Sequence, residues 1–429
     1  MRIAIGENEL RERIALNFKR FDDPYYRIEG VFQDKGADWP GDKEGRALLA
    51  FVSHYKISGE KIPCMDELLA HMPEHTNFHL FFDAPEYANG MIHEQQLSGH
   101  SWLLRGLCEH YQVFGDDFSL KAIHEIVENL YLPLLGKYRE YPTKREGINK
   151  GGVSGSDTGI INGWVLSSDT GCAFMSIDGL SHAYEVTRDI RVLALLEEMA
   201  YTFANMDKAG MKLQTHCTLT AARGLVRLFK DTGNGVFFEM AKNIYTLYTE
   251  KGGMTLTYQN LNWWGRPDTW TEPCAIVDSL MLAMELFKLT GNEEYRTTAV
   301  RIYINGLATA QRPNGGAGTD KIVLADQPML YADMPEAFFC CTMRLAEGLW
   351  YVWENRNEMI YEESAVIKRD NSGRYLKGDV ILCEPEGELA SKYSKGAVTV
   401  DGHRLVPLIK YYNFEDDIYK IKMRVVFSD

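Results

Sequence analysis

Apolar residues recur along most of this chain at three- and four-residue intervals, the period of an amphipathic helix, and the periodic runs come in pairs. The first run of each pair ends in an aromatic residue, a short polar turn follows, and a second run begins. This happens six times, with turns at Ser58-Gly59-Glu60, Gly115-Asp116-Asp117, Thr187-Arg188-Asp189, Thr232-Gly233-Asn234, Thr290-Gly291-Asn292 and Asn355-Arg356-Asn357. Tyr55, Tyr111, Tyr184, Phe229, Phe287 and Trp353 stand just ahead of them. Gly or Asn closes a helix by taking the left-handed conformation, and Asp or Asn caps the next one, so the pattern predicts six helical hairpins.

The turn centres are spaced by 45 to 73 residues, and the extra length falls between hairpins, mainly in 138–172, 251–271 and 312–339. Short turns at one end and long loops at the other predict a mainly α fold, an (α/α)6 toroid in which neighbouring hairpins cover each other's apolar faces. An open helical solenoid is the alternative. The long-loop end is the expected place for a site. From about residue 358 the pattern turns to strand-like alternation, as in 419–427, with turn signals at Asn371-Ser372-Gly373 and Asp401-Gly402. The expected division is a toroid over 1–357 and a small β-sheet or sandwich domain over 358–429.

A formal net charge of -14 over 429 residues argues against a nucleic-acid partner, which would need clustered Lys and Arg. No apolar run is long enough to cross a membrane, and the N-terminus is charged and lacks the apolar core of a leader, so the expected location is cytoplasmic. Eight cysteines are too few for a disulfide scaffold, and the adjacent pair Cys340 and Cys341 suits ordinary disulfide geometry poorly. Oligomeric state leaves no trace in the sequence.

The cysteines matter because of their register. His216, Cys274 and Cys340 each lie 13 residues before the aromatic of their hairpin. At a rise of about 1.5 Å per residue, equal offsets put these side chains at one height near the starts of three consecutive first helices. Glu272 lies two residues before Cys274, and Cys341 follows Cys340, so two neighbouring hairpins bring one carboxylate and three thiols to one place. Zinc takes such a donor set, and any one of these cysteines alone would be read as core packing. The remaining cysteines show no such convergence. Trp39, Trp164, Trp263, Trp264 and Trp270 precede first helices and offer ring faces to a ligand at the mouth, or simply pack on the rim. His100 and Asp178 fall near the starts of the second and third hairpins, as funnel-lining residues or as caps.

The segments TEPCAIVDSLMLAMELFKLTGNEEY, INGLATAQRPNGG and AFFCCTMRLAEGLW resemble the β-L-arabinofuranosidase group, glycoside hydrolase families 127 and 146. The resemblance implies an (α/α)6 barrel joined to β-sandwich domains. It also implies a zinc ion held by Glu272, Cys274, Cys340 and Cys341, with Cys340 as the nucleophile of a retaining hydrolysis and His216 touching substrate. A furanoside or related plant or pectic sugar is the implied substrate. A zinc-held thiolate that attacks the anomeric carbon would form a thioglycosyl intermediate, and water would complete retention.

The chain departs from that group where the general acid should be. The loop GGMTLTYQNLNWWGRPDTW has no Glu, and Asp268 is its only carboxylate. The segment TMRLAE after the cysteine pair is also unlike the group, as is Phe174, where a His is expected. Asp268, Asp178 or Glu336 is expected to serve as the acid, with Asp268 first, and a replaced acid goes with an altered specificity. The alternatives are a zinc-containing carbohydrate binder without turnover and, more remotely, another toroid enzyme such as a zinc lanthionine cyclase.

Overall fold

The computed structural model describes residues 2–33, 39–145, 151–255, 258–266, 268–322 and 330–362, with short strands between 368 and 428. The described residues include twelve helices of ten residues or more. Six are α1 (Glu7–Arg20), α2 (Asp42–Ser58), α3 (Cys64–His75), α4 (Glu94–Phe114), α5 (Asp117–Ile126) and α6 (Ser176–Thr187). The others are α7 (Ile190–Ala204), α8 (Thr215–Thr232), α9 (Gly235–Glu250), α10 (Pro273–Thr290), α11 (Glu293–Ile302) and α12 (Cys341–Asn355).

Helices α2, α4, α6, α8, α10 and α12 form an inner ring, each packed on the next, and α12 returns to α2. The ring is therefore closed, and the fold is the (α/α)6 toroid rather than an open solenoid. Its inner helices approach closely because glycine sits where they cross. A Cβ on Gly45 would lie 2.2 Å from the Leu103 backbone nitrogen, and one on Gly106 would lie 2.5 Å from the Gly45 carbonyl oxygen.

Five of the six turns have the predicted chemistry. Gly59, Gly115, Arg188, Gly233 and Gly291 are left-handed, and each donates its N–H to the carbonyl of the aromatic residue four positions earlier, at 2.7–2.8 Å. Asp116, Asp189, Asn234 and Asn292 then accept N–H groups from the first turn of the next helix, at 2.7–3.1 Å. Arg188 holds the left-handed position without being glycine, with φ of 55°.

The sixth hairpin is different. Arg356 is right-handed, and Ile360–Glu362 runs on as a strand antiparallel to Arg2–Ala4. The outer partner of α12 is α1 from the start of the chain. A turn without a left-handed residue does not reverse the helix, and the two ends of the toroid are joined by this two-stranded ribbon instead.

At the long-loop end, Ile92–His93 pairs with Trp164–Ser167, which pairs with Asp157–Ile161. A five-stranded sheet has the order Tyr411–Asn413, Ile418–Lys420, Leu330–Met334, Thr319–Ile322, Trp270–Thr271. Strands Ile381–Cys383, Met423–Ser428, His403–Val406 and Thr399–Val400 form a separate sheet. The expected turns at Asn371-Ser372-Gly373 and Asp401-Gly402 lie outside the described residues. Among the described residues no helix is long and apolar enough to cross a membrane.

Candidate metal centre and active-site cavity

The matched register places its residues as expected. His216 and Cys274 are each the second residue of their helices, α8 and α10, while Glu272 caps α10 and Cys340 caps α12. One ligand atom from each of Glu272, Cys274, Cys340 and Cys341 lies within 4.8 Å of the other three. The Sγ atoms of Cys274 and Cys341 are 3.7 Å apart, and those of Cys340 and Cys341 are 3.4 Å apart. A tetrahedron with zinc–sulfur bonds of about 2.3 Å has edges of about 3.8 Å, so the spacing suits such an ion.

The donor chemistry fits too. Burial pushes the Cys274 and Cys341 thiols well above their ordinary range, although Cys274 also receives a hydrogen bond from Arg46 Nη1 at 3.6 Å. Three thiols facing one another beside a carboxylate satisfy little of their own hydrogen-bonding capacity. A divalent cation would take them as thiolates.

Part of this cluster forms the floor of a cavity of about 930 Å³. Glu272, His216 and Cys340 are in its wall, whereas Cys274 and Cys341 are not. Cys340 keeps 8% of its surface exposed, against 0% for Cys274 and 1% for Cys341, so a single thiol faces the open space. Other wall residues come from the insertions at 138–172 and 312–339, as expected. The wall also takes Tyr25, Phe32 and the segment from Glu74 to Asp83, which carry no periodic or motif signal.

Beneath the floor the axis of the toroid is ionic. Asp278 accepts from Arg223 at 2.6 Å, Arg344 at 2.5 Å and Thr220 at 2.6 Å. Glu347 accepts from Arg105 at 2.9 Å and Arg223 at 3.1 Å, and also pairs with Arg344. Asp178 accepts from Arg105 and Arg227, both at 2.6 Å. Burial works against ionisation here, but Arg344 and Arg223 hold Asp278 far below the usual carboxylate range, and Arg105 and Arg227 do the same for Asp178. The unusual TMRLAE segment is thus explained, since Arg344 and Glu347 are its two charged members. His216 links the two layers. Its Nδ1 is 3.2 Å from Glu272 and its Nε2 is 3.4 Å from Asp278, and its ring stacks on Trp102.

Several sequence-predicted residues are not brought to the cavity wall. Asp178 belongs to the axial network. His100 lies seven residues into α4, which starts earlier than expected, at Glu94. Its Nδ1 bonds the Gln96 carbonyl at 2.8 Å and its Nε2 accepts from the Phe82 N–H at 2.9 Å, while burial lowers its pKa to about 4. Trp264 is buried, with its Nε1 donating to Thr218 at 3.3 Å, and Trp164 and Trp263 are buried as well. Of the five tryptophans, Trp39 lines the cavity. Asp268 is exposed and held by a two-pronged bond to Arg266 at 2.7 Å, which lowers its pKa. Glu336 accepts from Arg20, Tyr26, Asn314 and Thr342, and so ties the loop before Cys340 to the N-terminal segment. Phe174 is core, stacked on Phe203.

No family model matches the chain, and no curated protein matches it in sequence. Solved structures match its fold. A GH127 β-arabinofuranosidase is 12% identical with a TM-score of 0.54, over 95% of this chain and 64% of that one. This chain therefore spans less than two thirds of that enzyme's length. A GH127 β-L-arabinofuranosidase from Geobacillus stearothermophilus is 12% identical with a TM-score of 0.52, over 95% of this chain and 69% of its own. A cellobiose 2-epimerase from Bacillus thermoamylovorans is 14% identical with a TM-score of 0.55, over 81% of this chain and 98% of its own. At these identities the likeness is one of fold.

Proposed function

We propose that this chain is a carbohydrate-active enzyme, a retaining glycoside hydrolase that acts on a furanoside or a related plant or pectic sugar. Its nucleophile is Cys340, held in a zinc site with Glu272, Cys274 and Cys341. The observation that carries this reading is the asymmetry of the thiol cluster, in which three sulfurs converge but Cys340 alone opens onto a sugar-sized cavity. A bound zinc ion would keep the thiols ionised at neutral pH.

The chain's own residues supply the rest. Cys340 attacks the anomeric carbon from the cavity floor, and the leaving oxygen departs toward the opposite wall. His216 stands beside Glu272 in that floor, where it can donate a hydrogen bond to a sugar hydroxyl. Trp39, Phe82, Phe338 and Phe339 give the wall apolar surface for sugar C–H faces. The strand-rich segment from about 358 to 429 is a β-rich domain in this reading, two of whose strands continue the sheet of Leu330–Met334, and it has no role in the chemistry.

The test is a screen of aryl furanosides and pectin-derived oligosaccharides, followed by intact-mass and peptide analysis of protein quenched during turnover. The reading predicts product of retained configuration and a glycosyl adduct on Cys340. Sugar binding without product would point instead to a zinc-containing carbohydrate binder, and an adduct elsewhere would remove the assigned nucleophile.

A further inference from the structure

Among the described residues the cavity wall contains six carboxyl groups, and five of them are engaged. Asp42 pairs with Arg46 at 2.7 Å, Glu74 with His71 at 3.2 Å, and Asp83 accepts from Asn77 at 2.8 Å. Asp169 accepts at Oδ1 from Gln214 Nε2 at 2.7 Å, at Oδ2 from the Gly155 N–H at 2.8 Å, and from Ser154 at both oxygens. Glu272 belongs to the thiol cluster. Glu44 is the exception, because it accepts no hydrogen bond from any other described residue although it is only 9% exposed. Among the described residues its own backbone N–H is the one donor to its carboxylate, and the residue lines the cavity.

We propose that Glu44 is the general acid and base of this hydrolysis. In the first step the bond between the anomeric carbon and the leaving oxygen breaks as the bond to Cys340 Sγ forms, and the Glu44 proton passes to that oxygen. In the second, a water oxygen bonds to the anomeric carbon, its proton returns to Glu44, and the sulfur leaves as thiolate. The inference rests on the reading of Cys340 as nucleophile. It accounts for the missing Glu of the loop at 251–271, because the acid is supplied by the first inner helix, in the wall of the same cavity.

The two buried candidates, Glu44 and Asp169, differ in what they can do. Burial raises both to about 7, which suits a group that must hold a proton and then give it up. Both oxygens of Asp169 already face donors, and it fastens the loop at 154–155 to Gln214. Glu44 has a free oxygen to turn toward a ligand.

The experiment compares 2,4-dinitrophenyl and methyl β-L-arabinofuranosides with wild type, Glu44→Gln and Asp169→Asn, and adds Glu44→Ala with azide should the Gln variant not fold. Glu44→Gln should lose about 10²–10⁴-fold on the methyl glycoside, which needs the acid, and far less in the first turnover of the dinitrophenyl glycoside. It should then accumulate the adduct on Cys340, and azide should restore turnover of the dinitrophenyl substrate. Asp169→Asn should slow both substrates equally. The inference is overturned if Glu44→Gln cleaves the methyl glycoside as wild type does, or if the leaving-group split appears in Asp169→Asn instead. A wild type that neither turns over the dinitrophenyl probe nor carries it on Cys340 overturns the reading of the nucleophile, and this inference with it.

Discussion

Two layers of buried polar chemistry lie one above the other in this toroid, and they are built on opposite terms. In the axial layer, Arg105, Arg223, Arg227 and Arg344 face Asp178, Asp278 and Glu347 at ion-pair distance. In the layer above, three thiols and Glu272 face one another with little to compensate them except His216 and Arg46. A buried charge that already has its counter-charges is a structural device, whereas converging donors without them await something from outside. Glu44 and Asp169 repeat the contrast on the cavity wall, one without partners and the other held at both oxygens.

The contrast can be broken from either side. The largest effect is expected for Asp278→Ala, which leaves Arg105, Arg223 and Arg344 to share Glu347 in the interior and should cost about 3–5 kcal/mol in denaturant unfolding, with or without metal. A loss of well under 1 kcal/mol would show that the axial layer is not the self-contained structural element described above.

Glu44 should show the reverse sign. Burial raises its carboxyl from 4.5 to about 7, with its own backbone N–H and Lys43 opposing the rise and Asp42 adding to it. Between those values the native state holds a proton that the unfolded chain has released, so stability falls as pH rises through this window. Glu44→Gln does not titrate, so near pH 8 it should be more stable than wild type by up to about 3 kcal/mol and near pH 4 equal to it. Urea unfolding at the two pH values measures this, and a variant less stable at both would contradict it.

A smaller effect separates packing from chemistry. A Cβ at Gly224 would lie 2.6 Å from the backbone at Ile177 and Asp178, so Gly224→Ala should cost about 1–3 kcal/mol in a thermal melt and leave metal content unchanged. Smallest of all, Asp268→Asn should stay within about 0.5 kcal/mol of wild type, because its pairing with Arg266 is exposed to solvent. A large loss there would mean that the loop at 251–271 depends on that pair.

What the sequence revealed, and what it hid, follows from the range of the interactions. The first five turns were legible because a left-handed C-cap and, in four of them, an Asp or Asn N-cap are settled within a few residues. Counting back from the hairpin aromatics located the thiol and carboxylate cluster, since a helix preserves register over 13 residues. The sixth hairpin misled because its outer helix comes from the other end of the chain, and no local signal announces that partner. His100 and Trp264 looked like mouth residues, but their heights were judged from loops whose path the sequence does not give. The axial network leaves only a faint trace in the sequence, charged residues on otherwise apolar helix faces, such as Arg105, Arg223 and Asp278. Glu44 was hidden similarly. Its run Asp42-Lys43-Glu44-Gly45-Arg46 looks like an ordinary acidic helix start, and its burial shows only in the fold.

The claim on which the rest depends is that four side chains from two neighbouring inner helices grip one cation. Zinc-edge X-ray absorption on the purified protein, together with elemental analysis of wild type and Cys274→Ser, tests it most directly. The account predicts one zinc per wild-type chain in a shell of three sulfurs and one oxygen, and loss of that stoichiometry in the variant. Wild-type protein without bound metal, or with a metal whose shell contains no sulfur, would contradict it.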